Sequence, residues 1–262
     1  MSERVRIDVS DGVADVRLDR PDKHNALDAA MFLGIVEAAG DLAGDSSVRA
    51  VVLSGEGASF CSGLDFPSFL SGDAGVDLLG GRDESTIVNL AQQAAYVWYG
   101  LAQPVIAAIT GHCYGGGIQI AAACDIRIAA PDAMLSVMEV RWGLVPDMTG
   151  TQLLPRLVRP DVLKELTWTG RKVTGAEAAE LGLVSHVDDD PRAAALSLAT
   201  EIASKSPAAV RGAKRLIDAA ATADLDTGFA LEEEIQREII GSPNQLEAVR
   251  ANFEKRPPRF VD

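Results

Sequence analysis

The chain has 262 residues, 47% of them hydrophobic and 24% charged, and a formal net charge of −14. That length buries a large core, while the acidic balance opposes a broad polyanion-binding surface, so nucleic acid is not an expected partner. No apolar run reaches the ~18 residues of a membrane span, and the start, MSERVRIDVSDG, has no apolar leader core.

Cys61, Cys113 and Cys124 lack paired spacing, which suits a reducing, cytoplasmic compartment rather than a disulfide framework. His24, His112 and His186 are too scattered for a zinc motif, so no metal is expected. These features point to a soluble enzyme.

Residues 5–19 alternate apolar and polar side chains around Ser10-Asp11-Gly12, which predicts a β-hairpin. ALDAAMFLGIVEAAGDLA (26–43) has helical spacing with Asp28 as N-cap. RAVVLSG (49–55) and PVIAAITG (104–111) are continuous apolar runs ending in glycine, as in buried strands. Between them, residues 66–83 are rich in Gly, Ser and Asp and read as a mobile surface loop. LAQQAAYVWYG (90–100) places Tyr96, Trp98 and Tyr99 at a helical spacing that suits packing. TGAEAAELG opens with a capping pair, Thr174 and Glu177, and closes on Gly182. From about residue 190 the pattern is helical. The expectation is an α/β core over residues 1–190 and a C-terminal helical subdomain over 191–262.

The stretch GHCYGGGIQIAAACDIRIAA (111–130) places Gly115, Gly116 and Gly117 between a strand, residues 104–109, and a helix starting near Gly116. Free N–H groups and the positive dipole end at such a helix start attract an anion, and glycine lets it approach the backbone. An oxyanion and a phosphate both suit that place, and close packing of strand and helix is an equal alternative. The dinucleotide fingerprint, the phosphate-loop motif and the GxSxG elbow are all absent. GEGASFCSGLDF (55–66) is a second Gly-rich turn after a buried strand. Two such turns giving one N–H each to a thioester enolate oxygen supply about 3–4 kcal/mol per donor. Cys61, without a base or motif beside it, reads as a small buried hydrophobe rather than a nucleophile.

LDRPDKHNAL, FCSGLDF, PVIAAITGHCYGGGIQIAAACDIRIAA, EVRWGLVPDMTGTQLLPRLV, WTGRKVTGAEAAELGLVSHV and FEKRPPRF together resemble the enoyl-CoA hydratase/isomerase (crotonase) family over roughly residues 5–260. The resemblance implies a spiral of ββα units, with a C-terminal helical region that forms trimers, often hexamers. It implies an acyl-CoA thioester as substrate, with no further cofactor. The N–H groups of Leu64 and Gly116 would form the oxyanion hole. CoA contacts would come from Lys23, Asn25, Ala26, Leu27, Ser62 and Asp65, and across subunits from Phe253 and Lys255. An ordinary connection between hairpin and helix remains an alternative for residues 23–27, and the basic tail EKRPPR suits CoA better than nucleic acid.

Family hydratases carry glutamates at the positions of Gln119 and Glu139. Here the first is an amide, which orients water but has no proton to exchange near neutral pH. Asp147 replaces a glycine of the hydratase turn. Dienoyl-CoA isomerases resemble this chain at Glu139 and Asp147, although they carry aspartate where it has Gln119. The expected activity is therefore a double-bond shift, with Glu139 as main acid/base, Asp147 as its partner and Gln119 beside them, in an apolar setting that raises carboxyl pKa values. The alternatives are a helix cap for Asp147, an ion pair with Arg141 for Glu139 and a polar core position for Gln119. Trp142 either narrows the acyl tunnel or packs in the core. At the level of the whole chain, the alternatives are a trans-2-enoyl-CoA hydratase of fatty-acid β-oxidation in which Gln119 positions water, and a non-catalytic acyl-CoA-binding protein.

Overall fold

The hairpin forms as expected in a computed structural model that describes residues 3–70, 76–80 and 86–262. β1 (Val5–Ser10) and β2 (Val13–Leu18) pair antiparallel, Ser10 opposite Val13. Asp11 and Gly12, both at positive φ, make the turn whose twist matches the strands. α1 (Ala29–Gly44) follows; Asp28 caps it by accepting the Met31 N–H at 2.8 Å.

β3 (Ala50–Gly55) returns parallel to β2, the right register for a crossover through α1. α2 (Phe66–Leu70) and α3 (Leu90–Gly100) lead to β4 (Val105–Ile109), parallel to β3. The expected loop over residues 66–83 thus begins with a helical turn, and its residues 71–75 and 81–83 lie outside the described residues. After β4 comes a strand that the sequence reading missed, β5 (His112–Tyr114), then α4 (Gly116–Ala123) and β6 (Ile126–Ala129). The apolar run ends at Gly111 as expected, and the chain turns there, with φ +51, to place the short His112–Tyr114 segment in a second sheet.

β7 (Met134–Ser136), α5 (Gly150–Leu153), α6 (Pro160–Thr169), β8 (Val173–Thr174), α7 (Gly175–Leu181) and β9 (His186–Val187) complete the core. The main sheet runs β1-β2-β3-β4-β6-β9 and the small one β5-β7-β8. Thr174 accepts the Glu177 N–H at 3.1 Å, but the Glu177 carboxylate turns to Arg171 instead of closing the capping box.

β3 and β4 are buried on both faces, which is why they read as unbroken apolar runs. Phe32, Ile35, Trp98 and Ile120 pack on one face of the sheet. On the other, α8 (Pro191–Ala203) lays Ala195, Ala199 and Ala203 against Val52, Ile106 and Ile128. A stripe of alanines lets the helix sit close to the strands. The expected boundary at residue 190 therefore cuts through packed core: α8 belongs with the sheet, and the C-terminal helices begin with α9 (Pro207–Ala220), followed by α10 (Leu225–Ile239) and α11 (Pro243–Glu254).

The turn at residues 23–27 is held by Asn25, whose side chain is fully buried. Its Oδ1 accepts the Arg20 N–H at 2.8 Å, and its Nδ2 donates to the carbonyls of Glu56 (3.0 Å) and Ser59 (2.7 Å). Asn25 also adopts φ +54, a conformation asparagine tolerates better than most residues. Asn25→Ala removes all three bonds and leaves buried partners unpaired, so we expect a loss of about 2–4 kcal/mol in urea unfolding. A loss below about 1 kcal/mol would show that the turn does not depend on this side chain.

Candidate active site

Two strand-end loops meet at α4. The loop after β3 is tied to the turn before α1: Leu27 N–H donates to the Gly63 carbonyl (2.8 Å) and Asp65 N–H to the Leu27 carbonyl (3.0 Å). Leu64, between them, bridges Leu27, and its own N–H has no acceptor among the described residues. Gly115, the N-cap of α4, adopts φ +51 and ψ −117, which needs glycine. A Cβ on Gly116 would lie 2.6 Å from Leu27 Cδ1 and 2.9 Å from Met148 Sδ, so a side chain there would have to displace both of them. The Gly116 N–H, in the first turn of α4, likewise has no acceptor among the described residues. Leu64 and Gly116 line the same cavity, with Gly63 packed on the Tyr114 carbonyl beside Gly116 N. Both packing and an anion-ready backbone thus explain the three glycines.

That cavity measures about 660 Å³. Phe66, Leu78, Leu79 and Ala91 contribute apolar lining, and Trp142 stacks on Phe66 with ring centroids 4.3 Å apart. Trp142 is thus a cavity wall with 59% exposure, and the core alternative is set aside.

Glu139, 8% exposed, opens a short 3-10 helix, Glu139–Trp142. Its Oε1 accepts the Gln119 Nε2–H at 2.6 Å, and its Oε2 is buried without a partner. Gln119, on α4 and 1% exposed, is itself clamped: its Oε1 accepts the N–H groups of Met148 (2.8 Å) and Gly150 (3.0 Å). With the oxygen so engaged, the NH2 must face Glu139. A Cβ on Gly150 would meet Gln119 Oε1 at 2.7 Å, which explains the glycine. No residue among those described pairs with Glu139 ionically, so the ion pair with Arg141 is absent.

Asp147 lines the same cavity from the turn before α5. It does not cap that helix: Thr149 is the N-cap residue, and no side chain supplies the cap bond. Burial raises the Glu139 pKa above the usual 4.5, the Gln119 hydrogen bond pulls the other way, and the Asp147 charge raises it further. Asp147 is open at the cavity, yet crowding by protein atoms raises its carboxyl too.

The remaining candidates are dispersed. Lys23 is exposed, while Ala26 and Leu27 are buried with Asn25 and support the Leu64 loop. Ser62 lines the cavity and donates to the Lys23 carbonyl at 3.3 Å. Asp65 pairs with Arg20 at 2.7 Å and accepts from Ser68; these partners outweigh burial and hold its pKa low. Phe253 and Lys255 are exposed at the end of α11, outside the cavity of their own chain. Cys61 is buried and its thiol is pushed up to about 12, which fits an inert packing residue. A second cavity of about 700 Å³ under α9 holds none of the candidate residues. Met148, whose N–H holds Gln119, and Tyr114 were not foreseen; only their place beside Gly115 and Asp147 in sequence hinted at them.

A mostly parallel sheet whose strand-end loops converge on one helix start and one acyl-sized cavity is the crotonase fold. The chain belongs to the enoyl-CoA hydratase/isomerase family, whose model matches residues 8–262. It is 36% identical over 258 residues to bovine (Bos taurus) mitochondrial enoyl-CoA hydratase domain-containing protein 2, covering 95% of this chain and 84% of that one. It is 34% identical over 262 residues to the mitochondrial Delta(3,5)-Delta(2,4)-dienoyl-CoA isomerase of Mus musculus, covering 95% and 79%. The crystal structure of enoyl-CoA hydratase from Bacillus anthracis superposes with a TM-score of 0.88 at 33% identity, covering 98% of this chain and 99% of that one. The protein is accordingly an acyl-CoA-processing enzyme of this family.

The coupling between the two carboxyls has a definite sign. Removing the like charge in Asp147→Asn makes Glu139 easier to ionise, so its titration midpoint moves to lower pH. Carboxyl-carbon NMR on 13C-glutamate protein, assigned with Glu139→Gln, reads this directly; a midpoint that stays or rises would contradict the coupling.

Proposed function

We propose that the enzyme shifts a double bond in an enoyl- or dienoyl-CoA through a thioester enolate. The carrying observation is the contact of Glu139 with an amide, Gln119, in place of a second carboxylate. Gln119 steers Glu139 but exchanges no proton, which leaves Glu139 and Asp147 as the carboxyl groups of the cavity wall.

In a 3-enoyl thioester, Glu139 takes a proton from C2. The electron pair moves onto the thioester oxygen, where the Leu64 and Gly116 N–H groups receive the charge. Return of a proton to C4, from Glu139 or Asp147, leaves the double bond at C2–C3. For a 3,5-diene the proton returns at C6. Only protons move, so the step is redox-neutral and its balance calls for no cofactor. Raised carboxyl pKa values suit groups that must both take and give a proton near neutrality.

Glu139→Gln should cut turnover by roughly 10²–10⁴-fold while acyl-CoA binding persists. Wild-type enzyme given trans-3-enoyl-CoA and 3,5-dienoyl-CoA should yield products of unchanged mass and altered retention. A water adduct from trans-2-enoyl-CoA, without isomerisation, would make it a hydratase in which Gln119 holds the water. Near-normal activity in Glu139→Gln would overturn the assignment altogether.

The enzyme is further proposed to act as a trimer or hexamer. Exposed Ile217, Leu225, Phe229, Ile240, Leu246 and Phe253 on and around α9–α11 offer apolar area that such an assembly covers. Light scattering should give a mass three or six times that of the 27.6 kDa chain; a monomer would refute it. Among the described residues no helix is long and apolar enough to cross a membrane, which is compatible with the cytoplasmic placement proposed for it.

A further inference from the structure

Two cations line the Glu139 cavity without a task in the reaction above: Arg141, on the short helix that begins at Glu139, and Lys172, just before β8. Among the described residues neither forms an ion pair or a side-chain hydrogen bond, in a chain whose 38 acidic residues outnumber 24 basic ones. Glu139 and Asp147 share the cavity with them yet pair with neither.

Both cations are placed by contacts that leave their charges unspent. The Arg141 stem packs on Gly170, where a Cβ would meet its Cγ at 3.0 Å and Cδ at 3.3 Å. Gly170 is in turn held through its carbonyl by Ser136 Oγ at 3.0 Å. Lys172 Nζ sits over the Tyr114 ring, 4.7 Å from its centroid. That ring is itself buttressed by His112, stacked at 4.9 Å, with His24 edge-on to His112 at 5.1 Å. A neutral aromatic face attracts an ammonium but takes none of its three N–H donors. Tyr114 directly precedes Gly115 and Gly116, so the ammonium stands on the same wall as the proposed oxyanion amides.

We propose that Lys172 and Arg141 form a cationic wall that receives an anionic oxygen group of the acyl-CoA ligand, either a carboxylate on the acyl chain or a phosphate of the CoA. The inference rests on the acyl-CoA reading above. A guanidinium fork and an ammonium together supply the N–H donors and the positive charge that a carboxylate or phosphate oxygen group attracts. Both side chains are exposed at the cavity, so an incoming anion can reach them, whereas an uncharged acyl group would leave them without an ionic partner.

Calorimetry with unreactive saturated thioesters separates the sources: glutaryl-CoA carries an acyl carboxylate, butyryl-CoA only the CoA phosphates, and butyryl-pantetheine neither. Lys172→Gln and Arg141→Gln should each raise the Kd of the anionic probe roughly three- to tenfold, and Lys172→Arg should restore it. Loss confined to glutaryl-CoA identifies the acyl carboxylate. Equal loss for both CoA esters, with butyryl-pantetheine unaffected, identifies the phosphate. Affinities unchanged across the variants, or a loss that Lys172→Arg does not restore, overturn the cationic wall while leaving the acyl-CoA reading intact. Wild-type protein that binds none of the three overturns that reading and the wall with it.

Discussion

The Gln119 amide is the joint on which the site depends. Its oxygen takes two backbone N–H groups from the Met148–Gly150 turn, and its nitrogen reaches Glu139 on another element. One buried side chain therefore binds α4, the 139–142 helix and the turn bearing Asp147 into a single unit. Reversing the amide would set its NH2 against two N–H donors and its oxygen against the Glu139 carboxylate, so one orientation is selected. A glutamate here could still accept the two N–H groups, but it would confront Glu139 with a second carboxyl. One proton would then have to be shared or the charges would repel. The choice of amide over acid thus sets the electrostatics of the cavity as well as its geometry.

Around that joint, the other constraints are steric. Gly150 has no side chain because Gln119 fills the space; Gly116 has none because Leu27 and Met148 do. Leu27 in turn is anchored to the Gly63 carbonyl, and Asn25 pins the same loop at Glu56 and Ser59. The N–H groups of Leu64 and Gly116 are left without acceptors among the described residues while Leu27, Asp65 and Gly115 beside them are paired. Their exposure to the cavity follows from packing, with no side chain needed to hold them there.

Much of this was legible in the sequence, in proportion to how local its cause is. The hairpin, the Asp28 cap and the strands β3 and β4 follow from periodicity and turn chemistry within a few residues. The loops that bring Leu64 and Gly116 together were readable from small residues placed after apolar runs. The end of β4 before Gly111 was readable, but β5 was hidden, because His112-Cys113-Tyr114 is three residues long and has neither an apolar run nor an alternation to mark it. The place of α8 was hidden too, since an alanine stripe looks the same in a solvent-facing helix and in one pressed on a sheet. The amide clamp was out of reach: its acceptor and donors stand 29 and 31 residues apart along the chain. Asp147 as a cap failed for a local reason, because the helix starts at Gly150, three residues further on, rather than directly behind it.

The same burial that prepares Glu139 works against the folded state. A carboxyl whose native pKa is raised binds its proton more tightly folded than unfolded. The stability this gives is fully present below the ordinary value of 4.5 and is lost as pH rises through the native value. At neutral pH the native protein therefore holds a half-satisfied carboxyl, with Oε2 unpartnered, beside the like charge of Asp147. The backbone N–H of Glu139 itself and the Gln119 N–H are the contacts that oppose this. Losing the Gln119 contact would let the Glu139 pKa climb further. The clamp on Gln119 consequently acts on the charge state of its neighbour: by fixing the amide N–H on Oε1 it favours the ionised form of a carboxyl that burial pushes towards the neutral one.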